Sequence, residues 1–363
     1  MHGCFFKTQC MFVFFKTQIM AHWASNGTIE PKRNDRTKPE RSRNDRLDRS
    51  SIVPFGLRYR KEFPKLQTLE LPSYEIEYAQ KAKNFKWRLL KNSPRTIAAI
   101  FEEKRLVKIW VNQLNLVGII SDNRLGVRSK KVPSVFITHQ LNVLSGKTTW
   151  ISSKLHQIII SKYQECWIPD FEFEPNLTGK LGHLKKTNLN LKYLGALSRL
   201  KKQEIPIVYE VMILLSGPEP QRTFLEELLL EEVKKSDKKI VFIKGKIENE
   251  QTKIQQDNCT IYNFMQTLEL EKTISESELI LCRSGYTTVM DLVQLQKKAF
   301  FIPTPGQFEQ EYLAKKYEKE GLVGYCLQDK FTFSELAKID HYSGFLKNDT
   351  NVDWIKLFAI FQV

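Results

Sequence analysis

A chain of 363 residues is long enough for two domains, and 42% hydrophobic residues give each a core to bury, which excludes a wholly disordered protein. A formal charge of +15 and a pI near 9.4 direct the surface toward phosphate-bearing partners, whether nucleic acid, anionic lipid or nucleotide. Six scattered cysteines without a Cys-x-x-Cys pair argue against a zinc site or a disulfide framework and for buried free thiols in a reducing compartment.

At the start, Phe5-Phe6-Lys7-Thr8-Gln9 returns as Phe14-Phe15-Lys16-Thr17-Gln18. Lys7 and Lys16 interrupt the apolar core that a signal peptide needs, and no small-residue cleavage site follows. No uninterrupted apolar run reaches the ~20 residues of a membrane-spanning helix, so a cytoplasmic protein is expected, with any membrane contact peripheral, on the inner face of the membrane. Residues 32–50 repeat Arg-Asn-Asp-Arg at Arg33 and Arg43 and keep neither helix nor strand period. They read as a solvated segment rather than a basic arm for nucleic acid, because acids dilute the charge and stacking aromatics are missing. Residues 1–56 are therefore expected to be an atypical, disordered extension.

From about Phe55 apolar strands alternate with amphipathic helices. Leu66 to Leu71 reads as a strand and Thr96 to Gln113 as a helix; Leu116 to Ser121 is a strand ending at Asp122, and Pro133 to Gln140 one ending at His139. The segment from Thr148 to Gln164 has Ile151, Leu155, Ile158 and Ile159 at helical spacing, with Lys147 and Lys154 nearby. It suits either an ordinary core-facing helix or a basic amphipathic one lying on anionic membrane. A short polar stretch closed by Pro206 marks a boundary, giving an N-terminal unit over 57–199 and a C-terminal unit over 200–363.

The second unit repeats the alternation: strands at Val211 to Gly217, Lys239 to Gly245, Cys259 to Phe264, Leu279 to Cys282 and Ala299 to Pro303, with helices between. The class is α/β, a parallel sheet wound on both faces, which binds ligands where strand order reverses. After Cys282 the chain runs into Arg283-Ser284-Gly285 and then a helix bearing Thr287, Thr288 and Asp291 on one face. Gly285 would allow both a sharp turn and a ligand's close approach, the helix N-terminus would welcome a diphosphate, and Asp291 could accept from a ribose diol. Serine, threonine and aspartate are equally ordinary helix caps. The next strand ends in a Pro303/Pro305/Gly306 loop, followed by Gln310 and Glu311, which suit sugar hydroxyls or, again, helix capping.

Arg283-Ser284-Gly285, Thr288, Asp291, Pro303 and Gln310-Glu311 resemble the donor-binding half of the family 28 glycosyltransferases. Stretches such as Ile120 to Gln157 and Glu165 to His183 look like uncharacterised, Bacteroidetes-type members, and the likeness runs from about Leu57 to the C-terminus. The resemblance implies a GT-B architecture of two Rossmann-like, doubly wound domains facing a cleft. It also implies a UDP-sugar co-substrate, no metal or other cofactor, and a glycan or lipid-linked acceptor on the N-terminal side. Carried over residue by residue, Asp291 takes the ribose-binding place; Ser284, Gly285 and Thr288 the diphosphate loop; Gln310 and Glu311 the sugar-contacting pair. Ser216, Gly217 and Arg222 loosely match the glycine-rich turn after the first strand, here substituted by Pro218 and Pro220.

Members of the family begin with a strand, a glycine-rich loop carrying a histidine, and a helix. The first fifty-odd residues hold no such loop, so the expectation is an incomplete or degenerate N-terminal domain, or a start that is not the native one. Asp122 and His139, at the carboxyl ends of adjacent strands, are the candidate catalytic residues, lining the cleft. The function so read is transfer of a hexose or N-acetylhexosamine from a UDP-sugar. A nucleotide-sugar epimerase, a donor-binding but inactive relative, and a nucleic-acid-binding protein remain as alternatives; the last lacks a reading motif, and no nucleic-acid partner is expected.

Overall fold

Each short apolar run bounded by polar turns forms one strand of a parallel sheet, because burial on both faces favours continuous Val, Ile and Phe over alternation. The computed structural model describes residues 12–14, 69–72, 74, 85–346 and 352–361. The first sheet runs in chain order: β1 (Phe12–Phe14), β2 (Ile119–Asp122), β3 (Ser134–Ile137), β4 (Glu165–Ile168) and β5 (Leu191–Tyr193), all parallel. Thus three residues of the segment expected to be an extension stand in the sheet, Phe12 opposite Ile119. The rest of 1–56 lies outside the described residues, as do 66–68 of the expected strand at Leu66 to Leu71, and residues 69–72 form no strand. Helix α1 (Phe85–Gln113) begins eleven residues earlier than the apolar spacing indicated.

Helix α2 (Thr149–Ile160) overturns the core-facing reading. Ser153 and Ile160 are its buried residues, while Trp150, Ile151, Leu155 and Ile158 are exposed. Polar groups tie down its inner side: Ser153 Oγ accepts from Val143 N at 3.0 Å, and Gln157 Nε2 donates to Leu141 O at 3.2 Å.

The second sheet has the order β12-β11-β10-β6-β7-β9-β8. Its strands are β6 (Tyr209–Leu214), β7 (Ile240–Ile243), β8 (Lys253–Gln256), β9 (Cys259–Tyr262), β10 (Ser277–Cys282), β11 (Lys298–Phe301) and β12 (Gly324–Tyr325). Only β8 is antiparallel, an exposed edge strand turned back through Asp257 at φ 48°. The helices are α3 (Gln221–Val233), α4 (Thr267–Ser275), α5 (Tyr286–Leu295) and α6 (Phe308–Lys319). In α6, Glu309 and Glu311 lie in the first turn and Lys316 and Lys319 in the last, as the helix dipole favours. The connection between units is pinned: Lys201 N and Gln203 Nε2 both donate to the Glu271 carboxylate at 2.7 Å.

One apolar core joins the two sheets. It includes Ile120, Ile137, Trp167 and Leu181 from the first unit and Tyr286, Met290, Leu313 and Tyr317 from the second. Each such side chain, fully buried, stabilises by roughly 1.5–3 kcal/mol. The last described segment, with α7 (Trp354–Phe358), returns to the first unit, where Phe358 and Phe361 pack edge-on to Trp167.

Candidate functional site

Strand β6 is the first strand of its unit; β7 lies on one side of it and β10 on the other, so the order reverses between β6 and β10. Their register sets Leu214 opposite Cys282. The loop with Ser216 and Gly217 therefore lies beside that with Ser284 and Gly285, where such sheets seat ligands. Ser216 and Gly217 are exposed, Gly217 stands at φ 105°, and a side chain on it would meet no atom of the chain.

Gly285 is the N-cap of α5, with φ −71° and ψ 137°. Any residue adopts that conformation, so the sharp turn does not require glycine, contrary to the sequence expectation. A Cβ there would also meet nothing within 4 Å. Open space in front of the helix is what the residue provides. At α5 the N-cap is Gly285, which has no side chain to cap with, and the first turn carries no acid. Ser284, fully buried, donates instead to Gln310 O at 2.8 Å, joining the two loops. Thr287 is exposed; Thr288 and Asp291 are half-buried, and Asp291 Oδ1 accepts from Ser198 Oγ at 2.6 Å.

Two residues expected among the donor contacts are buried in ion pairs and hydrogen bonds of the chain itself. Arg283 is 1% exposed, and its guanidinium donates to Ile302 O (3.0 Å), Pro303 O (3.1 Å), Gln221 O (2.9 Å) and Gln328 Oε1 (2.7 Å). Burial brings its pKa down to about 9, which leaves it charged at neutral pH. It braces the loops from behind rather than meeting a ligand. Arg222, also buried, is held by Glu219 and, at 2.7 Å, by Glu226 Oε2. Burial pushes the Glu226 carboxyl up, but the bonds from Arg222 and Lys244 and the charges of Lys244 and Lys246 outweigh it and hold it below the usual range.

Gln310 and Glu311 follow their capping reading in this geometry. Gln310 Oε1 accepts from Thr304 N, and Glu311 Oε1 from Gly306 N, each at 2.9 Å. Both shape the Pro303 to Gly306 loop, and both stay half-buried at its rim.

Asp122 closes β2, half-buried, on the same sheet edge as His139. His139 reaches further. Its ring stacks on that of Tyr286 at 4.4 Å with 14° between planes, and its Nε2 lies 2.9 Å from Glu309 Oε1. Gln140 Nε2 donates to the same carboxylate. A residue of the first unit is thereby fixed at the start of α5. Sequence reading missed Tyr286 and Glu309; the signal was their position, one residue beyond Gly285 and one before Gln310.

The loop after β4 supplies the rest of the junction. Asp170, fully buried, accepts from the backbone N–H of Phe171, Leu177 and Thr178, from Thr178 Oγ1 and from His183 Nε2. Burial raises its pKa, but these bonds outweigh burial and hold the carboxyl below its ordinary value. The loop so shaped accepts from the hydroxyls of Tyr286 (Pro169 O, 2.6 Å) and Tyr317 (Leu177 O, 2.7 Å) and from Lys316 Nζ (Asn176 O, 2.8 Å).

A helix N-terminus that opens on free space at the switch point of a doubly wound sheet is the kind of place that suits an anionic ligand. Residues 215–341, within the second unit, match the model of the glycosyltransferase family 28 C-terminal domain. Solved structures similar to the chain include MurG of Acinetobacter baumannii, at 16% identity over 77% of this chain and 76% of that one (TM-score 0.41). The calicheamicin glycosyltransferase CalG4 is 9% identical over 78% and 79% (TM-score 0.46). The spinosyn rhamnosyltransferase SpnG, complexed with thymidine diphosphate, is 13% identical over 73% of each chain (TM-score 0.42). No curated protein matches the sequence.

Proposed function

We propose that the protein transfers a hexose or N-acetylhexosamine from a UDP-sugar to a hydroxyl of a glycan or lipid-linked acceptor. The observation that carries this reading is the start of α5, open at Gly285, within the segment that matches the family 28 domain. The diphosphate sits before Gly285, flanked by the Ser216-Gly217 turn, with Ser284 behind and Thr287 and Thr288 as hydroxyl donors. Asp291 receives the ribose. Gln310 and Glu311 form the rim on the sugar side.

In the reaction the acceptor oxygen attacks the anomeric carbon, the bond from that carbon to the diphosphate breaks, and UDP leaves with the electron pair. The helix N-terminus supplies preorganised positive potential where that negative charge grows, so the reading needs no metal. The hydroxyl proton needs a base. In this reading His139 takes it: with the Nε2–H donating to Glu309 at 2.9 Å, Nδ1 is the nitrogen left to accept. Asp122 lines the acceptor side of the same edge.

Calorimetric titration of the full chain with UDP, with GDP and a short oligonucleotide as controls, tests the donor half. Selective UDP binding that Asp291→Ala weakens by about tenfold, without unfolding, is expected. Equal affinity for UDP in the variant and the native chain would remove Asp291 from the site, and binding of the oligonucleotide alone would replace the reading.

A further inference from the structure

Helix α2 is turned inside out. Its outward stripe runs Lys147, Trp150, Ile151, Lys154, Leu155 and Ile158, positions three and four apart that share one side of a helix. Trp150 is 73% exposed, Leu155 58%, Ile158 45% and Ile151 43%. The inward side holds Ser153, His156 and Gln157, engaged with the backbone of residues 140–143. A helix buried for stability would point the other way, since four large apolar side chains left about half exposed forgo much of the stabilisation that burial would give.

Charge says what the stripe faces. No acidic residue stands between Asp122 and Glu165, while seven lysines and arginines do. Lys104 of α1 lies in the field of Arg128 and Lys162, just past the end of α2, and its own helix exposes Ile97 at 53% and Phe101 at 64%. On α2, apolar side chains with a tryptophan among them, lysines interspersed and no acid, match the interface of a bilayer with anionic headgroups, where lysine stems lie along the apolar layer and their ammonium groups reach the phosphates; on α1 the exposed Glu102 beside Phe101 is paired with Arg105. Nucleic acid would account for the lysines but not for Leu155 and Ile158.

We propose that the outward face of α2, continued by Lys104 and Phe101 of α1, docks on the surface of an anionic bilayer. The contact stands whether or not a nucleotide binds at α5. It would bring the loop carrying His139 to the membrane, because the inner side of α2 is bonded to the residues that follow His139.

The test is co-sedimentation of the full chain with phosphatidylcholine vesicles, with and without phosphatidylglycerol. Binding to the anionic vesicles only, weakened by salt and reduced roughly tenfold or more in Trp150→Ser/Leu155→Ser and in Lys154→Glu, is expected. These side chains are exposed, and UDP affinity measured on the same variants reports separately on the donor site. No sedimentation with anionic vesicles, or sedimentation that neither variant changes, would overturn the proposal. So would oligonucleotide binding that Lys154→Glu abolishes while vesicles are ignored.

Discussion

The rings of His139 and Tyr286 stack 4.4 Å apart, and this one contact sets the end of β3 in the first unit against the first residue of α5 in the second. Tyr286 is itself fixed, since its hydroxyl donates to Pro169 O at 2.6 Å. The histidine is thus held by a stack on one side and by Glu309 on the other, and its freedom to rotate is small.

That arrangement predicts a division between binding and chemistry. His139→Ala should lower turnover of a UDP-sugar by about 10²–10⁴, the range of a general base, while UDP affinity changes less than about threefold. Glu309→Gln should show a smaller loss of turnover with a shifted pH profile. Steady-state rates against pH, set beside calorimetric affinities, check both. A His139→Ala variant that loses affinity and turnover in equal measure would make the residue structural.

Gly285 gives the sharpest separation of folding from ligand binding. Its backbone suits any residue and its surroundings are empty, so Gly285→Ala and Gly285→Asp should both keep the native melting temperature within a few degrees. The aspartate, placing a negative charge before an anion-seeking helix end, should weaken UDP binding by more than about tenfold, and the alanine by much less. A UDP affinity indifferent to the aspartate would move the diphosphate elsewhere.

Arg283 should behave as a structural residue. Arg283→Lys cannot reproduce a fork that reaches three carbonyls and an amide, and should cost about 3 kcal/mol, read as a fall of about four degrees in melting temperature. Loss of UDP affinity with unchanged stability would return the side chain to the ligand.

His156, under α2, sets an acid limit on the fold. Burial lowers its pKa to about 4, and its Nε2 is buried with no partner. The unfolded chain takes up that proton near the ordinary value of about 6.5, the folded chain only near 4. Its contribution is therefore complete above about pH 6.5 and is lost as pH falls toward 4, approaching roughly 3 kcal/mol at the limit. Urea unfolding at about pH 7 and pH 4.5 should show a smaller acid loss for His156→Gln than for the native chain. Equal losses would place the sensitivity elsewhere, Asp170 and Glu226 being among the carboxylates whose lowered pKa also makes stability fall on acidification.

The strands and the C-terminal helices were legible because their signal is local. A run such as Leu279 to Cys282 can be buried in only one kind of place, and the glycine after it marks a boundary without any knowledge of neighbours. What escaped depends on direction in space. The period of α2 marks a stripe but not the side on which the sheet lies, so its outward tryptophan could not be foreseen. Arg283 beside Ser284-Gly285 reads like a ligand contact until β11 and Gln328 close around it. Glu309 lies next to two residues that attracted attention, yet it faces the other unit, and only the meeting of the units gives it a partner.

Asp170 and the loop it gathers bear on traffic through the protein. Tyr286 and Tyr317 are almost wholly enclosed, and their hydroxyls rest on the carbonyls of that loop. Swinging the units apart would strand both phenols and strip carbonyls that have no other donor in those two bonds, so the join works as a dovetail rather than a hinge. For the transfer proposed above, that would leave the passage of reactants and the chemistry, rather than the opening of the molecule, to set the pace of each cycle.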